Sequence, residues 1–527
     1  MDYQLLIGQL LDTGLRAAAG QKITYGTEVE MTFAQFGARV LRLGAGLAQL
    51  GLGQGSVVAM MDYDSHRYLE CFFAVPMLGA TLHTVNVRLS PEQILYTINH
   101  AQDDAILVHV DFLPVLLPLL PRITRPVVLV LLADGPADLP QGFAGSYEAL
   151  PEAADFGFPD LPETTRATLF YTTGTTGDPK GVSFSHRQLV LHSLGVVACL
   201  APVPGRGGIK LDDVYMPLTP MFHVHGWGFP YIAVMLGMRQ IYPGRYEPGR
   251  LLNLIAKHGV TFSHCVPTVL AMILNAPGSD AVDLSHWKVI IGGSALPEGL
   301  ARAAMARGID IHAGYGMSET CPVLTISDMV ASQAGGDTVP IRIATGRPIP
   351  LVQLRIVDPD MADVAHDGVA TGEVVARAPW LTADYLRNEA GSAALWGGGW
   401  LHTGDVGSMA LDGTLRVTDR LKDVIKSGGE WISSLELESI VSAVPGVVEA
   451  AAVGMPDANW GERPVVLVVA KGEVEAAVHG AVAAAIAAGR LSKWAAPERV
   501  VVVAAIPKTS VGKIDKKLIR AELAARG

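Results

Sequence analysis

Cysteine is scarce: there are four in 527 residues, Cys71, Cys199, Cys265 and Cys321, far apart and without a Cys-x-x-Cys pair. That leaves no footing for a disulfide framework or a thiolate metal site, and buried, reduced thiols of a cytosolic protein are expected. Basic residues do not predominate either. Forty Lys and Arg against 51 Asp and Glu give a formal charge of −11, and no basic stripe is present. A nucleic-acid surface is excluded, because backbone phosphates must be met by clustered cations. Long uninterrupted apolar runs are also missing. The most apolar stretch, residues 105–132, is broken by His109, Asp111, Pro114, Pro118, Pro121, Arg122, Arg125 and Pro126, so no membrane-spanning helix is expected. The first residues carry an acid, Asp2, where a secretory signal has a basic region, and no such signal is expected. No internal repeat is found.

What is present is a globular composition, 50% hydrophobic and 17% charged. The length is too great for one core and suggests about three to four ordinary domains or two large ones. Thr32 followed by Gln35 forms a capping box, and Phe36, Val40, Leu43, Leu47 and Leu50 recur at helical spacing until Gly51-Leu-Gly53. Val57–Met61 reads as a buried strand. Strand-like and helical runs alternate to about residue 300, which argues for α/β layers. Between residues 342 and 379 the texture changes to half-exposed antiparallel strands, Leu354-Arg-Ile-Val-Asp and Gly372-Glu-Val-Val-Ala-Arg, and a small β-rich subdomain is expected. Residues 419–423, Asp-Arg-Leu-Lys-Asp, precede Ser427-Gly-Gly429 and read as a hinge. A large domain over 1–420 and a small α+β domain over 421–527 follow, the latter with an Ala-rich helix over residues 474–488 and a polar tail ending in Gly512-Lys513.

The densest chemistry lies in Tyr171-Thr-Thr-Gly-Thr-Thr-Gly-Asp-Pro-Lys-Gly181. Glycines free backbone N–H groups to point into a concavity, four threonine hydroxyls can donate to phosphate oxygens, and Lys180 adds a compact positive charge. The spacing is not that of a P-loop, since Pro179 stands where the second glycine belongs. Read alone, the loop suits either a polyphosphate or a polar surface turn. Further polar, glycine-bearing segments follow in order: Pro220-Met-Phe-His223-Val-His225-Gly-Trp227, Gly314-Tyr315-Gly316-Met317-Ser318-Glu319-Thr320, Trp400-Leu-His402-Thr-Gly-Asp405 and Lys422-Asp-Val-Ile-Lys426-Ser427-Gly428-Gly429-Glu430-Trp431. Locally, His223 and Trp227 are as well explained by core packing as by a site. Lys513 by itself is a solvated tail lysine.

Taken together, these segments resemble the adenylate-forming superfamily along nearly the whole chain, most closely its fatty acyl-CoA synthetase branch, and are similar also to methylmercaptopropionate-CoA ligases. The resemblance implies a large N-terminal domain of layered α/β subdomains with a small β-barrel-like subdomain, hinged to a C-terminal α+β domain. It implies ATP, Mg²⁺ and coenzyme A as reactants and cofactors, with a small carboxylic acid as substrate. Thr172, Thr173, Gly174, Thr175, Thr176 and Lys180 would hold the β- and γ-phosphates, and Glu319, helped by Thr175 and Thr320, would hold Mg²⁺. Tyr315, flanked by Gly314, Gly316, Met317 and Ser318, would stack on adenine over Gly293, Ser294 and Ala295, while Asp405 and Arg420 take the ribose.

Lys513 would meet the carboxylate and α-phosphate during adenylation, and Lys422 would be the pivot between two catalytic poses. Lys426, Ser427, Gly428, Gly429, Glu430 and Trp431 would line the pantetheine channel in the second pose. His223 would wall the carboxylate from the thiol, Trp227 would gate an acyl tunnel, and Val266, Pro267 and Gly292 would line it. His225 and His402 are expected to pack or hydrogen-bond. A homodimer and loose membrane contact are compatible with the resemblance. Loading of a carrier-protein phosphopantetheine, or a silent nucleotide-binding regulator, remain alternatives.

Overall fold

The computed structural model describes residues 3–27, 29–151, 155–172, 178–205, 207–428, 430–508 and 514–525. Of the site residues expected above, Thr173, Gly174, Thr175, Thr176, Gly429 and Lys513 lie outside the described residues, as does the Trp431 side chain.

Two large sheets carry the α/β part. One has seven strands, ordered Gly145–Ser146, Val128–Leu132, Ala105–His109, Val57–Met61, Thr81–Thr84, Arg166–Thr172 and Lys180–Ser185. It is parallel except for the final pair, an antiparallel hairpin. The second has nine, and its centre runs Asp310–Gly316, Lys288–Ile291, Phe262–Cys265, Val214–Leu218, Arg239–Tyr242 and Lys22–Tyr25 in parallel. α/β layering therefore continues past residue 300, through Asp310–Gly316 and Val323–Ile326.

The largest core lies where these layers meet. Val58 and Met60 point into it, while Ala59 and Met61 point into a second cluster on the opposite face. That two-residue alternation explains why Val57–Met61 is apolar throughout: parallel strands are covered on both sides. The helix Phe33–Gln49 begins at the capping box, with Thr32 Oγ1 accepting from Gln35 N at 3.1 Å and Gln35 Oε1 accepting from Thr32 N at 2.8 Å. Phe36, Val40, Leu43 and Leu47 face the core, and the run stops before Gly51, at φ +80°.

The antiparallel layer is larger than the sequence texture suggested. It joins Gln353–Val357, Gly372–Arg377, Trp396–Gly397, Trp400–Met409 and Leu415–Arg420. Its longest strand contains His402-Thr-Gly-Asp405, whose polar residues and Gly404 and Gly407 hide the strand period. Among the described residues no pair joins Gln353–Val357 to Leu415–Arg420; Leu415 instead bridges to Gly346.

After Arg420 the chain enters a separate sheet, Glu430–Ile432, Ile425–Ser427, Gly461–Ala470 and Val447–Asp457, with Arg499–Val502 beside it. Helices Ser434–Ser442, Glu475–Ala487 and Lys516–Ala525 complete this α+β unit. Among the described residues no helix is long and apolar enough to cross a membrane. Cys71, Cys265 and Cys321 are buried, and burial pushes their thiols up; Cys199 is half-buried and pushed up to about 11.

Candidate active site

Parallel strands present their carboxyl ends on one edge of a sheet, and the loops leaving that edge form a crevice. Here those loops are the expected site segments: residues 220–227 after Val214–Leu218, 266–268 after Phe262–Cys265, 292–295 after Lys288–Ile291, and 317–320 after Asp310–Gly316. They border one cavity of about 1960 Å³ between the α/β layers, the antiparallel sheet and the C-terminal unit.

Toward the antiparallel sheet, Tyr315 Oη donates to Asp405 Oδ2 at 2.7 Å, and Arg420 Nε lies 3.4 Å from Asp405 Oδ1. Burial, with Asp405 alongside, pushes the Tyr315 phenol well up, so it stays a donor. Gly293, Ser294 and Ala295 line the same cavity, and Gly293 takes φ +78°, which favours glycine. Thr172 and Lys180 are register partners at the end of the antiparallel hairpin, and both line the cavity. Glu319, 7% exposed, lies on the lining with its Oε1 accepting from Tyr385 Oη at 2.6 Å. Thr320 differs: it is fully buried, and its hydroxyl is spent on the backbone of Met317 and Pro322.

The same cavity has an apolar lining of Val224, Trp227, Phe229, Pro267, Ile290 and Gly292, and half-buried His223 also lines it. A Cβ on Gly292 would lie 3.0 Å from Trp227 Cη2 and 3.1 Å from the Gly314 carbonyl. Val266 does not line the cavity; it precedes the helix Pro267–Leu274 and packs against the main core.

The backbone from Val224 to Gly228 is left-handed, with φ of +48°, +55°, +57°, +60° and +75°. Such a run costs about 1–2 kcal/mol per non-glycine residue and persists only when its surroundings over-determine it. Three side chains of the seven-stranded layer do so. Asp64 Oδ1 accepts from Met221 N at 2.8 Å, Thr84 Oγ1 donates to the Phe222 carbonyl at 2.9 Å, and Thr168 Oγ1 meets His225 Nε2 at 2.7 Å. Behind Trp227 stands His264, stacked on Phe229 at 4.7 Å and bonded to Tyr215 Oη at 2.8 Å. Burial lowers His225 and His264 to about 3, so both rings are neutral scaffolding. His402, as expected, is a hydrogen-bonding residue, with Nδ1 2.9 Å from Glu373.

Residues 15–386 match the family model of AMP-binding enzymes, and residues 436–513 match that of the AMP-binding enzyme C-terminal domain. The chain belongs to the AMP-binding enzyme family. A long-chain-fatty-acid–CoA ligase of Thermus thermophilus is 40% identical, over 99% of this chain and 96% of its own. A 3-methylmercaptopropionyl-CoA ligase of Ruegeria pomeroyi is 37% identical, over 99% and 98%. The crystal structure of the anthranilate CoA ligase AuaEII in complex with anthranoyl-AMP has the same fold, with a TM-score of 0.88 over 100% of this chain and 99% of that one, at 24% identity.

In this AMP-binding enzyme the C-terminal unit leans on the cavity through Lys508, Ile514, Lys516 and Lys517, the residues that flank the Gly512-Lys513 pair. Lys508 and Ile514 form a backbone bridge, and Lys508 Nζ is 2.9 Å from Glu449. Lys422 is exposed and also reaches the lining. Lys426, Ser427, Gly428 and Glu430 are not brought to it: Ser427 is buried in the C-terminal sheet, and Gly428 N donates to the Trp460 carbonyl at 3.0 Å. Sequence reasoning passed over Tyr385, Asp64, Thr84 and Thr168. Only Thr168, just ahead of the threonine-rich loop, stood near a marked segment. Among the described residues no cluster of three or more His, Cys, Asp or Glu could hold a metal by itself.

Proposed function

We propose that this AMP-forming acid–CoA ligase acts on a linear fatty or methylthio-alkanoic acid, and that its C-terminal unit, hinged at residues 419–423, serves two half-reactions in turn. In the first, a carboxylate oxygen bonds to the α-phosphorus of ATP as the bond to pyrophosphate breaks. In the second, the coenzyme A sulfur bonds to the acyl carbon, its proton is lost, and AMP departs. The observation that carries the reading is the cavity that Lys180, Glu319, Tyr315 and Asp405 line together with Trp227, Pro267 and Gly292.

Each role follows from its chemistry. Lys180 and the threonine-rich loop bind the terminal phosphates; Tyr315 orients adenine, and Asp405 with Arg420 accepts and steers the ribose hydroxyls. Glu319 is the residue that would hold Mg²⁺, which when bound neutralises charge on the phosphate oxygens. Lys513 delivers a cation to the α-phosphate and carboxylate, where charge builds in the transition state. His223 walls the acyl carboxylate from the thiol, and Trp227 closes the acyl tunnel. Lys426, Ser427, Gly428 and Glu430, which do not line the cavity in this pose, serve the thiol arm with Gly429 and Trp431 after rotation at Lys422. The buried thiols suit a cytosolic setting.

The test is pyrophosphate release with a panel of acids, with and without coenzyme A. Turnover that needs both a linear acid and coenzyme A supports the reading. Pyrophosphate exchange without consumption of coenzyme A would favour carrier loading, and silence a non-catalytic nucleotide-binding role; the similar ligases named above favour neither.

A further inference from the structure

Tyr385 belongs to neither the segment around Glu319 nor the threonine-rich loop, yet it touches both. Its hydroxyl donates to Glu319 Oε1 at 2.6 Å, and Lys180 Nζ stands 4.5 Å from the centroid of its ring. The backbone holds it in place from two sides. Leu386 N donates to the Gly181 carbonyl and Thr382 N to the Glu319 carbonyl, both at 2.9 Å, and Tyr385 bridges to Val182 in the hairpin strand. The side chain is 7% exposed and lines the cavity.

Among the described residues no ion pair joins Lys180 to Glu319, although one tyrosine contacts both. A carboxylate and an ammonium on a shared wall are drawn into a direct pair unless something separates them, and a direct pair leaves each less able to meet a ligand of opposite charge. The tyrosine offers each a partner that does not neutralise it. The ring face attracts the ammonium through its quadrupole and leaves the charge intact. The hydroxyl binds one carboxylate oxygen, sets the plane of the group, and leaves the second oxygen directed by that plane.

We infer that Tyr385 is a positioning residue for the phosphate end of the site, a spacer that orients Glu319 toward a divalent cation and holds Lys180 charged and apart for the phosphates of a nucleoside triphosphate. This rests on the reading of Glu319 and Lys180 given under the proposed function.

Calorimetric titration of the full-length protein with ATP, in the absence and presence of graded Mg²⁺, tests this without relying on turnover. Tyr385→Phe keeps the ring and removes the donor: ATP affinity without Mg²⁺ stays within about twofold, while half-saturation by Mg²⁺ rises roughly tenfold or more, as when a residue supporting a metal ligand is lost. Tyr385→Leu removes the ring as well, and Mg²⁺-free ATP affinity then falls about threefold or more. Glu319→Gln is the control and loses most of the Mg²⁺ dependence. If Glu319→Gln weakens Mg²⁺ and Tyr385→Phe does not, the inference is overturned while the reading of Glu319 stands. If Glu319→Gln leaves the Mg²⁺ dependence unchanged, the reading of Glu319 falls and this inference with it.

Discussion

Tyr315 and Asp405 are joined by a 2.7 Å hydrogen bond from phenol to carboxylate, across the boundary between the nine-stranded sheet and the antiparallel layer. The bond ties the residue proposed to orient adenine to the one proposed to take the ribose, so base and sugar are met by a preformed unit. Tyr315→Phe keeps the aromatic face and removes the tie. We expect the KM for ATP to rise roughly five- to tenfold, the scale of one hydrogen bond to a charged group, with kcat within about twofold. Steady-state pyrophosphate release measures both.

Gly292 has no room for a larger residue without displacing Trp227 or the Gly314 carbonyl. Gly292→Ala therefore presses on the indole at the proposed acyl wall. The expected outcome is a drop in kcat/KM that grows with acid length, while the shortest accepted acid is nearly unaffected. A chain-length series on the purified variant decides this, and a uniform loss across the series would remove Gly292 from the acyl pocket.

Lys513→Ala should reduce adenylation by about 10²–10³, the usual cost of losing a donor aimed at transition-state charge, while thioester formation from supplied acyl-AMP survives better. Lys422→Pro, which fixes φ at the proposed pivot, should instead damage one half-reaction selectively. Assaying the half-reactions separately distinguishes the two variants, and equal loss of both halves in each would contradict alternation.

Thr84→Val is nearly isosteric but leaves the buried Phe222 carbonyl without its donor. The left-handed turn carrying His225 and Trp227 then loses one of its three restraints. A stability loss of about 1–3 kcal/mol is expected, with kcat falling several-fold while the KM for ATP holds. Chemical denaturation and the same kinetic assay report these separately.

Burial disfavours ionisation of Asp310, but hydrogen bonds and charge from His312 and Arg342 outweigh it and hold the carboxyl well below the usual carboxylate range. A carboxyl depressed in the folded state contributes stability that is present above its unfolded value, near 3.8, and is lost as pH falls through the folded value. Asp310→Asn should thus lower Tm most at neutral pH, and the gap from the parent should begin to narrow below about pH 4. Melting curves from pH 3 to about 7 check the sign; a gap that widened in acid would contradict it.

Several elements were legible because their cause is local. Thr32 and Gln35 are three positions apart and cap one helix turn, and Val57–Met61 declares a doubly covered strand by composition alone. Gly512-Lys513 and residues 419–423, the proposed cation and the proposed hinge, were marked by short-range polarity alone. Tyr385 was not legible. It lies 66 positions from Glu319, within Ala-Asp-Tyr-Leu-Arg, which carries no pattern of its own. Thr84 and Asp64 are likewise 138 and 157 positions from the loop they hold. Val266 was assigned to the acyl wall beside Pro267, but one step along the chain turns its side chain into the core.

Period, turn chemistry and motif order act over a few residues, and they were enough to establish the α/β class, the C-terminal α+β unit and the family. Which side chains share a cavity depends on how strands far apart in the chain come to lie side by side, and on where one lobe rests against the other. Hence Glu319, Tyr385 and Lys180 could be grouped, and Lys426, Ser427, Gly428 and Glu430 separated from them, only once the layers were packed. Burial in that packing also made His225 and His264 neutral supports, since desolvation is a property of the surroundings and not of the residue type.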